Sequence, residues 1–407
     1  MSQKNILLKS LSLLFILLSF NVNVLAEQTT DSVPTETFLQ WKKNFHQIAR
    51  QNGISDSFLK RIVPKLRYLP HVLDSDKKQS EFLLTFWDYT DRTLTEKRVQ
   101  DGIKMSKKYK TLSKKTAEKY GVPAEFLLAF WGLETNYGTF KGEIDTLNAL
   151  ATLAYDKRRR SFFTNELITL LKLIEKGETT RFKGSWAGAF GNFQFMPTTY
   201  AAYAVDADSD GRRDVIYSLH DAFASAGNYL SKMGWNNQYG WGYEVKITKP
   251  LNWKSIPENN KMTVAEWEKR GILPACEEKR NDSEQNLTAK LVLPTGIDGP
   301  AFLTYSNYDL IMRWNNSTLY ALTVGALSDR ISGKSTQFCT PRKEIKISRD
   351  DMKFIQSRLI ELNLYAGTVD GILGKNTRKA IRLYQQKNGL DVDGYPSAQL
   401  IQSLKGK

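Results

Sequence analysis

Apolar residues recur along most of the chain at the three-and-four spacing of a helix face. Phe38, Trp41, Phe45 and Ile48 follow it, and Gly53 interrupts, so Phe38–Val63 predicts helices with a break. Phe82, Leu83, Phe86 and Trp87 predict a helix within Ser80–Asp91, and Arg98–Tyr120 continues in that style. Leu147–Leu153, Phe162–Ile174, Asp221–Leu230 and Tyr308–Ile331 read the same way. One stretch departs from the amphipathic rule. In GVPAEFLLAFWGLETNYG (121–138), Phe126 to Leu133 are apolar on every face, which predicts a helix buried all round. Pro123 suits its first turn and Gly138 its stop.

Glu134 stands in the last turn of that helix, with Phe130 and Trp131 three and four residues before it. Desolvation by those rings and the negative end of the helix dipole both raise a carboxyl pKa. An acid still protonated near neutral pH is what proton donation to a glycosidic oxygen requires. The other reading is a Glu that points to solvent from a fraying end.

The pattern fails in informative places. KGSWAGAFGNFQFMPTTY (183–200) carries too many glycines for a helix before Pro197. It predicts an ordered loop shaped by Gly184, Gly188 and Gly191, and such glycine- and aromatic-rich loops line sites. DADSDGRRD (206–214) places acids at alternate positions with Gly211 sixth, the first half of an EF-hand loop. Asp206, Asp208, Asp210 and Asp214 are its candidate calcium ligands, but position twelve is Tyr217 where the loop wants Glu. An acidic turn capping the next helix is the alternative. Tyr243–Thr288 and Ala289–Tyr305 mix β-like runs, such as Glu244–Ile247, with Pro and Trp. Gly333–Ser348 is polar and charged, a linker. Beyond it, Met352, Ile355, Leu359 and Leu362 form one helical face, and Ala380, Ile381 and Tyr384 another. Asp370-Gly371 and Asp393-Gly394 turn the chain between short helices.

Composition narrows the function classes. At 41% hydrophobic and 25% charged, the 407-residue chain is globular and long enough for two or three domains. Lys4 and Lys9 precede the apolar run Leu11–Phe20, and Val24-Leu25-Ala26 offers a cleavage site, so residues 1–26 read as a secretory signal peptide. No later run reaches transmembrane length. A formal charge of +15 favours an anionic partner; export argues against nucleic acid and for a wall polymer or membrane surface. The basic run Lys157–Arg160 either meets anionic groups of a substrate or is a solvated loop. Cys276 and Cys339 are the only cysteines, and an oxidising compartment invites their pairing across 63 residues, worth about 4 kcal/mol in the chain-entropy model. No zinc spacing, Gly-rich phosphate loop or Gly-x-Ser-x-Gly elbow is present.

Together WGLETNYG (131–138), KGSWAGAFGNFQFMPTTY (183–200), YAVDADSDGRRD (203–214) and RWNNSTLYALTVG (313–325) resemble the B-type lytic murein transglycosylases, which cut bacterial peptidoglycan. IQSRLIELNLYAGTVDGILGKNTRKAI (355–381) and GLDVDGYP (389–396) resemble the small peptidoglycan-binding domain fused to wall enzymes. The resemblance implies a mainly α protein with a lysozyme-like α+β catalytic domain (27–333), a linker (334–347) and a three-helix C-terminal domain (348–407). It implies that Glu134 is the single acid/base, and that Ser185, Gln194, Tyr229, Asn315 and Tyr320 orient it or bind sugar. The substrate's own C6 hydroxyl would attack, leaving a 1,6-anhydro end without water, and no cofactor beyond structural calcium is implied. The expected setting is the periplasm, the partner peptidoglycan glycan strands, and no motif names a protein partner. A two-carboxylate hydrolase needs a partner for its acid, and the central motifs offer only Glu134. A water-using muramidase and an inactive wall-binding scaffold are the alternatives.

Overall fold

The structure, a computed structural model, describes residues 36–79, 85–179, 182–257, 259–276, 282–335, 337–342 and 347–406. The expected signal peptide lies outside them. Helices α1 (Phe38–Gln51), α2 (Asp56–Ile62) and α3 (Pro70–Gln79) open the described chain. Thr37 and Ser55 cap the first two by accepting hydrogen bonds from Gln40 and Phe58 N–H groups. Trp41, Phe45, Phe58 and Leu59 are buried in a core that they share with two later helices.

Next come α4 (Phe86–Thr93), α5 (Glu96–Lys108) and α6 (Lys110–Tyr120). The spacing predicted one helical style across Arg98–Tyr120; the backbone breaks at Tyr109, where φ is −107° and ψ 27°. Helix α7 (Ala124–Thr135) then runs through the centre of the largest core. Its Phe126, Leu127, Leu128 and Phe130 are all buried. Each contributes about 1.5–3 kcal/mol by leaving water. The two-residue strands β1 (Ile144–Asp145) and β2 (Lys183–Gly184) pair antiparallel, flanking α8 (Thr146–Tyr155) and α9 (Arg160–Glu175). The Gly-rich segment is a loop until Pro197, which opens α10 (Pro197–Tyr203), and α11 (Leu219–Lys232) follows the acidic loop. The three arginines of the basic run are paired within the protein: Arg158 and Arg159 both bond the buried carboxylate of Asp76, and Arg160 pairs with Glu36 at 3.3 Å. A buried acid needs such partners, so these guanidiniums serve the fold.

A five-stranded antiparallel sheet forms the second layer. Its strands are β3 (Gly242–Ile247), β4 (Lys261–Thr263), β5 (Ile272–Pro274), β6 (Thr288–Val292) and β7 (Ala301–Thr304), in the order β4-β6-β7-β3-β5. Helix α12 (Val264–Lys269) buries Trp267 against it. The Tyr308–Ile331 run is two helices, α13 (Ser306–Trp314) and α14 (Thr318–Ser332). Asn315 takes an extended backbone, and Ser317 caps α14 by accepting from Tyr320 N–H. The polar Asn315-Asn316-Ser317 triplet favours caps and turns over helix interior.

The expected linker is a tied strap over its described part. Phe338 packs on Phe86, Trp87 and Phe302. Cys339 is joined to Cys276. The buried carboxylate of Glu244 accepts from Cys339 and Thr340 N–H at 2.7 and 2.9 Å, and Arg342 pairs with Asp91 at 2.7 Å. Beyond it lie α15 (Arg349–Glu361), α16 (Lys375–Lys387) and α17 (Ala398–Lys405), with Met352, Ile355, Leu359, Ile381, Tyr384 and Leu404 fully buried between them. Leu362, expected on that face, is exposed, because the helix ends at Glu361. Each Asp-Gly turn is held by a buried glutamine: Gln356 donates to Asp370 and accepts from Gly371 N–H, and Gln385 does the same for Asp393 and Gly394. This unit is docked on the sheet layer. Asp393 accepts from Ile297 N–H at 3.0 Å, Arg378 donates to Pro294 O at 3.1 Å, and Trp253 donates to Asp391 at 2.9 Å.

A chain ended at Arg342 keeps the disulfide and the Glu244 contacts, whereas one ended at Gly333 loses both. The shorter chain should melt at least about 4 °C below the longer in a thermal scan. Equal melting temperatures would mean that the strap contributes no stability.

Candidate active site

Helix α7 ends in an unusual way. Asn136 (φ 48°), Tyr137 (φ 58°) and Gly138 (φ 79°) all take left-handed backbones in succession. Asn tolerates that region, but for Tyr it is costly and must be held by its surroundings. Tyr137 is held: its hydroxyl donates to Arg98 O at 2.8 Å and its ring meets Trp131 edge-on. The stop predicted at Gly138 therefore begins two residues earlier, immediately after the turn that carries Glu134.

Glu134 is 7% exposed. Two side chains donate to it, and both choose the same oxygen: Trp314 Nε1 reaches Oε1 at 3.0 Å, and the Tyr320 hydroxyl also donates to Oε1. The break between α13 and α14 makes this convergence. Trp314 is the last residue of α13 and Tyr320 lies in the first turn of α14, so two helix ends face one carboxyl. Neither donor touches Oε2, which is left to carry the proton of the neutral acid. Burial pushes the Glu134 pKa up to about 7, against the two hydrogen bonds, which pull it down. The Tyr320 hydroxyl is raised well above its ordinary range, first by burial and then by the neighbouring carboxyl, so it stays a donor.

Trp314 is half-buried among other rings. Phe130 lies against it with ring centroids 4.5 Å apart, and Tyr229 and Phe195 meet it at 5.1 and 5.5 Å. Of the two rings expected beside Glu134, only Phe130 belongs to this group. Trp131 instead donates to Asn192 at 3.1 Å and packs edge-on against Tyr109 and Phe223.

The other residues singled out in the sequence divide into two sets. Tyr320 touches the carboxyl, Tyr229 stands behind Trp314, and Asn315 follows Trp314 in the chain. Asn315 is buried, and its Oδ1 has no hydrogen-bond partner within the protein. Ser185 and Gln194 shape the Gly-rich loop. Ser185 Oγ accepts from Ala189 N–H at 3.0 Å, and Gln194, itself left-handed at φ 49°, donates to Gly191 O and Lys141 O at 2.9 and 3.1 Å. The acidic loop gathers Asp206, Asp208, Asp210 and Asp221, one oxygen of each within 4.8 Å of the others. Asp214 is not in that set, because its carboxylate caps Ile216 and Tyr217 N–H at 2.9 and 2.8 Å. Asp221 takes the fourth place from the first turn of α11; sequence counting within the loop could not reach it. Trp314 was missed for a similar reason, since a Trp ending an apolar helix reads as core.

The remaining buried acids are occupied elsewhere. Glu166 accepts from Thr198, Glu244 from the strap, Asp393 from Gln385 and Ile297, and Asp76 from two arginines. Among the described residues, none of them is a hydrogen-bond partner of Glu134.

Comparison with known proteins gives this geometry a lineage. Residues 348–404 match a peptidoglycan binding domain family. Membrane-bound lytic murein transglycosylase B of Escherichia coli is 30% identical over 249 residues, 60% of this chain and 66% of that protein. The crystal structure of SltB3 from Pseudomonas aeruginosa in complex with NAG-anhNAM-pentapeptide superposes with a TM-score of 0.82 at 36% identity, covering 91% of this chain and 99% of that one. The Escherichia coli lytic transglycosylase Slt35 in complex with calcium gives a TM-score of 0.60 at 28% identity, over 72% of this chain and 92% of that one. The transglycosylase SLT domain model matches residues 37–329, and the chain belongs to that family.

Proposed function

We propose that this chain is a periplasmic lytic transglycosylase that cleaves the β-1,4 bond between N-acetylmuramic acid and N-acetylglucosamine in peptidoglycan. The observation that carries the reading is the one-sided hydrogen bonding of Glu134: both donors occupy Oε1 of a buried carboxyl whose pKa lies near 7. Oε2–H protonates the bridging oxygen as the bond to C1 of the muramic acid breaks. Trp314 and Tyr320 stabilise the carboxylate that results, since charge-assisted bonds are stronger than neutral ones. The C6 hydroxyl of the same muramic acid then bonds to C1 and returns its proton to Glu134. A 1,6-anhydro ring forms, no water enters, and the enzyme ends as it began. No cofactor takes part in these steps.

A wall of aromatic rings around the carboxyl suits such a reaction, because apolar surroundings exclude the competing water. A lone carboxyl favours transglycosylation over two-carboxylate hydrolysis. Tyr229 and Asn315 are the sugar-binding candidates, through ring stacking and the unpartnered, buried acceptor of Asn315. Ser185 and Gln194 act by keeping the loop in shape. The docked C-terminal unit serves as a second binding site for the polymer, raising its local concentration. Among the described residues no helix is long and apolar enough to cross a membrane.

The acidic loop fits a divalent cation with hard oxygen donors, as calcium prefers. Four carboxylates converge, and one of them, Asp221, is wholly buried. Burial raises its pKa, and the neighbouring Asp208 and Asp206 add to that shift while two backbone N–H groups oppose it. A cation held by Asp206, Asp208, Asp210 and Asp221 would neutralise this repulsion and brace the loop, with no part in the chemistry.

Glu134→Gln should fold and still pellet with sacculi but lose at least about 1,000-fold in cleavage. Mass spectrometry of wild-type digests should find anhydro ends, and cleavage should decline as pH rises through about 7, where the acid loses its proton. Reducing ends would instead make the protein a muramidase, and wild-type rates in the variant would remove Glu134 from the chemistry. Millimolar calcium should raise the melting temperature and chelator should lower it, by RT ln(1 + [L]/Kd) in free energy. An unchanged melting curve would reduce the loop to a turn.

A further inference from the structure

The last turn of α7 is also gripped through Trp131 and Thr135, on a face next to the one that meets Trp314 and Tyr320, and one residue makes the grip. Asn192, 1% exposed, lies in the Gly-rich loop between Gly191 and Phe193. Its Oδ1 accepts from Trp131 Nε1 at 3.1 Å, and its backbone O accepts from Thr135 Oγ1 at 2.9 Å. Its Nδ2 donates to Val215 O and Ile216 O at 3.2 and 3.0 Å, and its backbone N–H donates to Val215 O at 3.0 Å. The orientation of the amide is forced. An indole N–H can only donate and a carbonyl can only accept, so Oδ1 must face Trp131 and Nδ2 must face the two carbonyls.

Trp131 and Thr135 are four apart on one helix face, and Glu134 lies between them in sequence. Thr135 also accepts from Gly138 N–H at 3.0 Å, which fixes the left-handed exit of the helix. The partners on the far side, Val215 and Ile216, close the acidic loop. Ile216 O takes a further bond from Lys141 Nζ at 2.7 Å, and Asp214 N–H donates to the buried Asp221 at 2.7 Å. One residue thus joins the catalytic helix end, the Gly-rich loop and the acidic loop, its side chain holding Trp131 and the 215–216 carbonyls and its backbone O holding Thr135. Gly191 lets the strands of this joint approach: a Cβ there would stand 2.7 Å from Val215 O.

We propose that Asn192 is a positioning residue for Glu134: it clamps the last turn of α7 to the 215–216 segment through Trp131 and Thr135, so that the carboxyl meets the substrate in one orientation. The inference rests on Glu134 being the acid/base. It needs no cation in the acidic loop. Misplacing a catalytic group by about 1 Å can cost about 100-fold in rate, and a helix end with three successive left-handed residues has little of its own to prevent such drift. Substrate contacts made by Tyr229, Asn315 and the C-terminal unit are not routed through Asn192, so affinity should survive its loss.

The test compares Asn192→Ala, Trp131→Phe, the double variant, and Asn148→Ala as a control. Asn148 is a buried asparagine of α8 that accepts from Arg67 N–H at 2.9 Å, away from Glu134. Initial rates of muropeptide release are read per folded molecule. Asn192→Ala should lower kcat at least tenfold with KM within twofold of wild type, and the double variant should lie within twofold of Asn192→Ala alone. Asn148→Ala should lose melting temperature yet keep kcat. Wild-type kcat in folded Asn192→Ala, or losses that multiply in the double variant, would overturn the proposal. Should Asn192→Ala not fold, Trp131→Phe decides alone: a kcat loss of threefold or more supports the clamp, and an unchanged kcat refutes it. Inertness of Glu134→Gln is established first, so a failed clamp is distinct from a failed assignment of the acid.

Discussion

A carboxyl out of water and bonded on one oxygen is the constraint around which this protein is arranged. Burial alone would leave Glu134 as a neutral acid with a high barrier to giving up its proton, because the anion left behind would be unsolvated. Trp314 and Tyr320 supply the two hydrogen bonds that the anion needs, and they supply them on Oε1. The opposing effects bring the pKa to about 7, near the point where a group can both give and take a proton. Much of the catalytic layer follows from that balance. The apolar α7 provides the desolvation, the interruption between α13 and α14 provides the donors, and the rings of Phe130, Phe195 and Tyr229 hold the Trp314 indole in place.

The layers away from the site supply rigidity at a distance. The strap after Gly333 ties the end of the catalytic layer back to β3 through Glu244 and to the end of β5 through the disulfide. The C-terminal helices sit on the sheet through Asp393, Arg378 and Trp253 rather than swinging on a free linker. Arg378 is half-buried there, and desolvation pulls its guanidinium down to about 10. Its bond to Pro294 O, with those of Asp393 and Asp391, argues for a fixed relation between the binding unit and the catalytic layer, since separating them would have to replace these contacts.

Much of this was legible in the sequence where one local rule decided the outcome. An all-round apolar helix with one acid in its last turn located Glu134, because such a segment has few places to go except a core. Glycine density marked the 183–196 loop, and the Asp-Gly pairs marked the turns that Gln356 and Gln385 bind. What could not be read were side chains whose meaning depends on a distant partner. Trp314 bonds a residue 180 positions away, Asp221 completes a loop from inside the next helix, and Asp214 turns forward to cap Ile216 and Tyr217 N–H. The strap looked like a linker because its anchors, Phe86 and Glu244, are far off in sequence. Composition reports what a segment could do alone, and a polar run pinned at several points has the composition of a free one.

The proposed chemistry requires Glu134 to be an acid of near-neutral pKa in the resting protein. Carbon-13 labelling of glutamate side chains, with Glu134→Gln to assign the resonance, allows its carboxyl to be titrated directly by NMR. The midpoint should fall at about 7, with the group protonated through the acidic range. A midpoint near 4.5, the ordinary value for a glutamate, would mean that water reaches the carboxyl and would contradict that requirement.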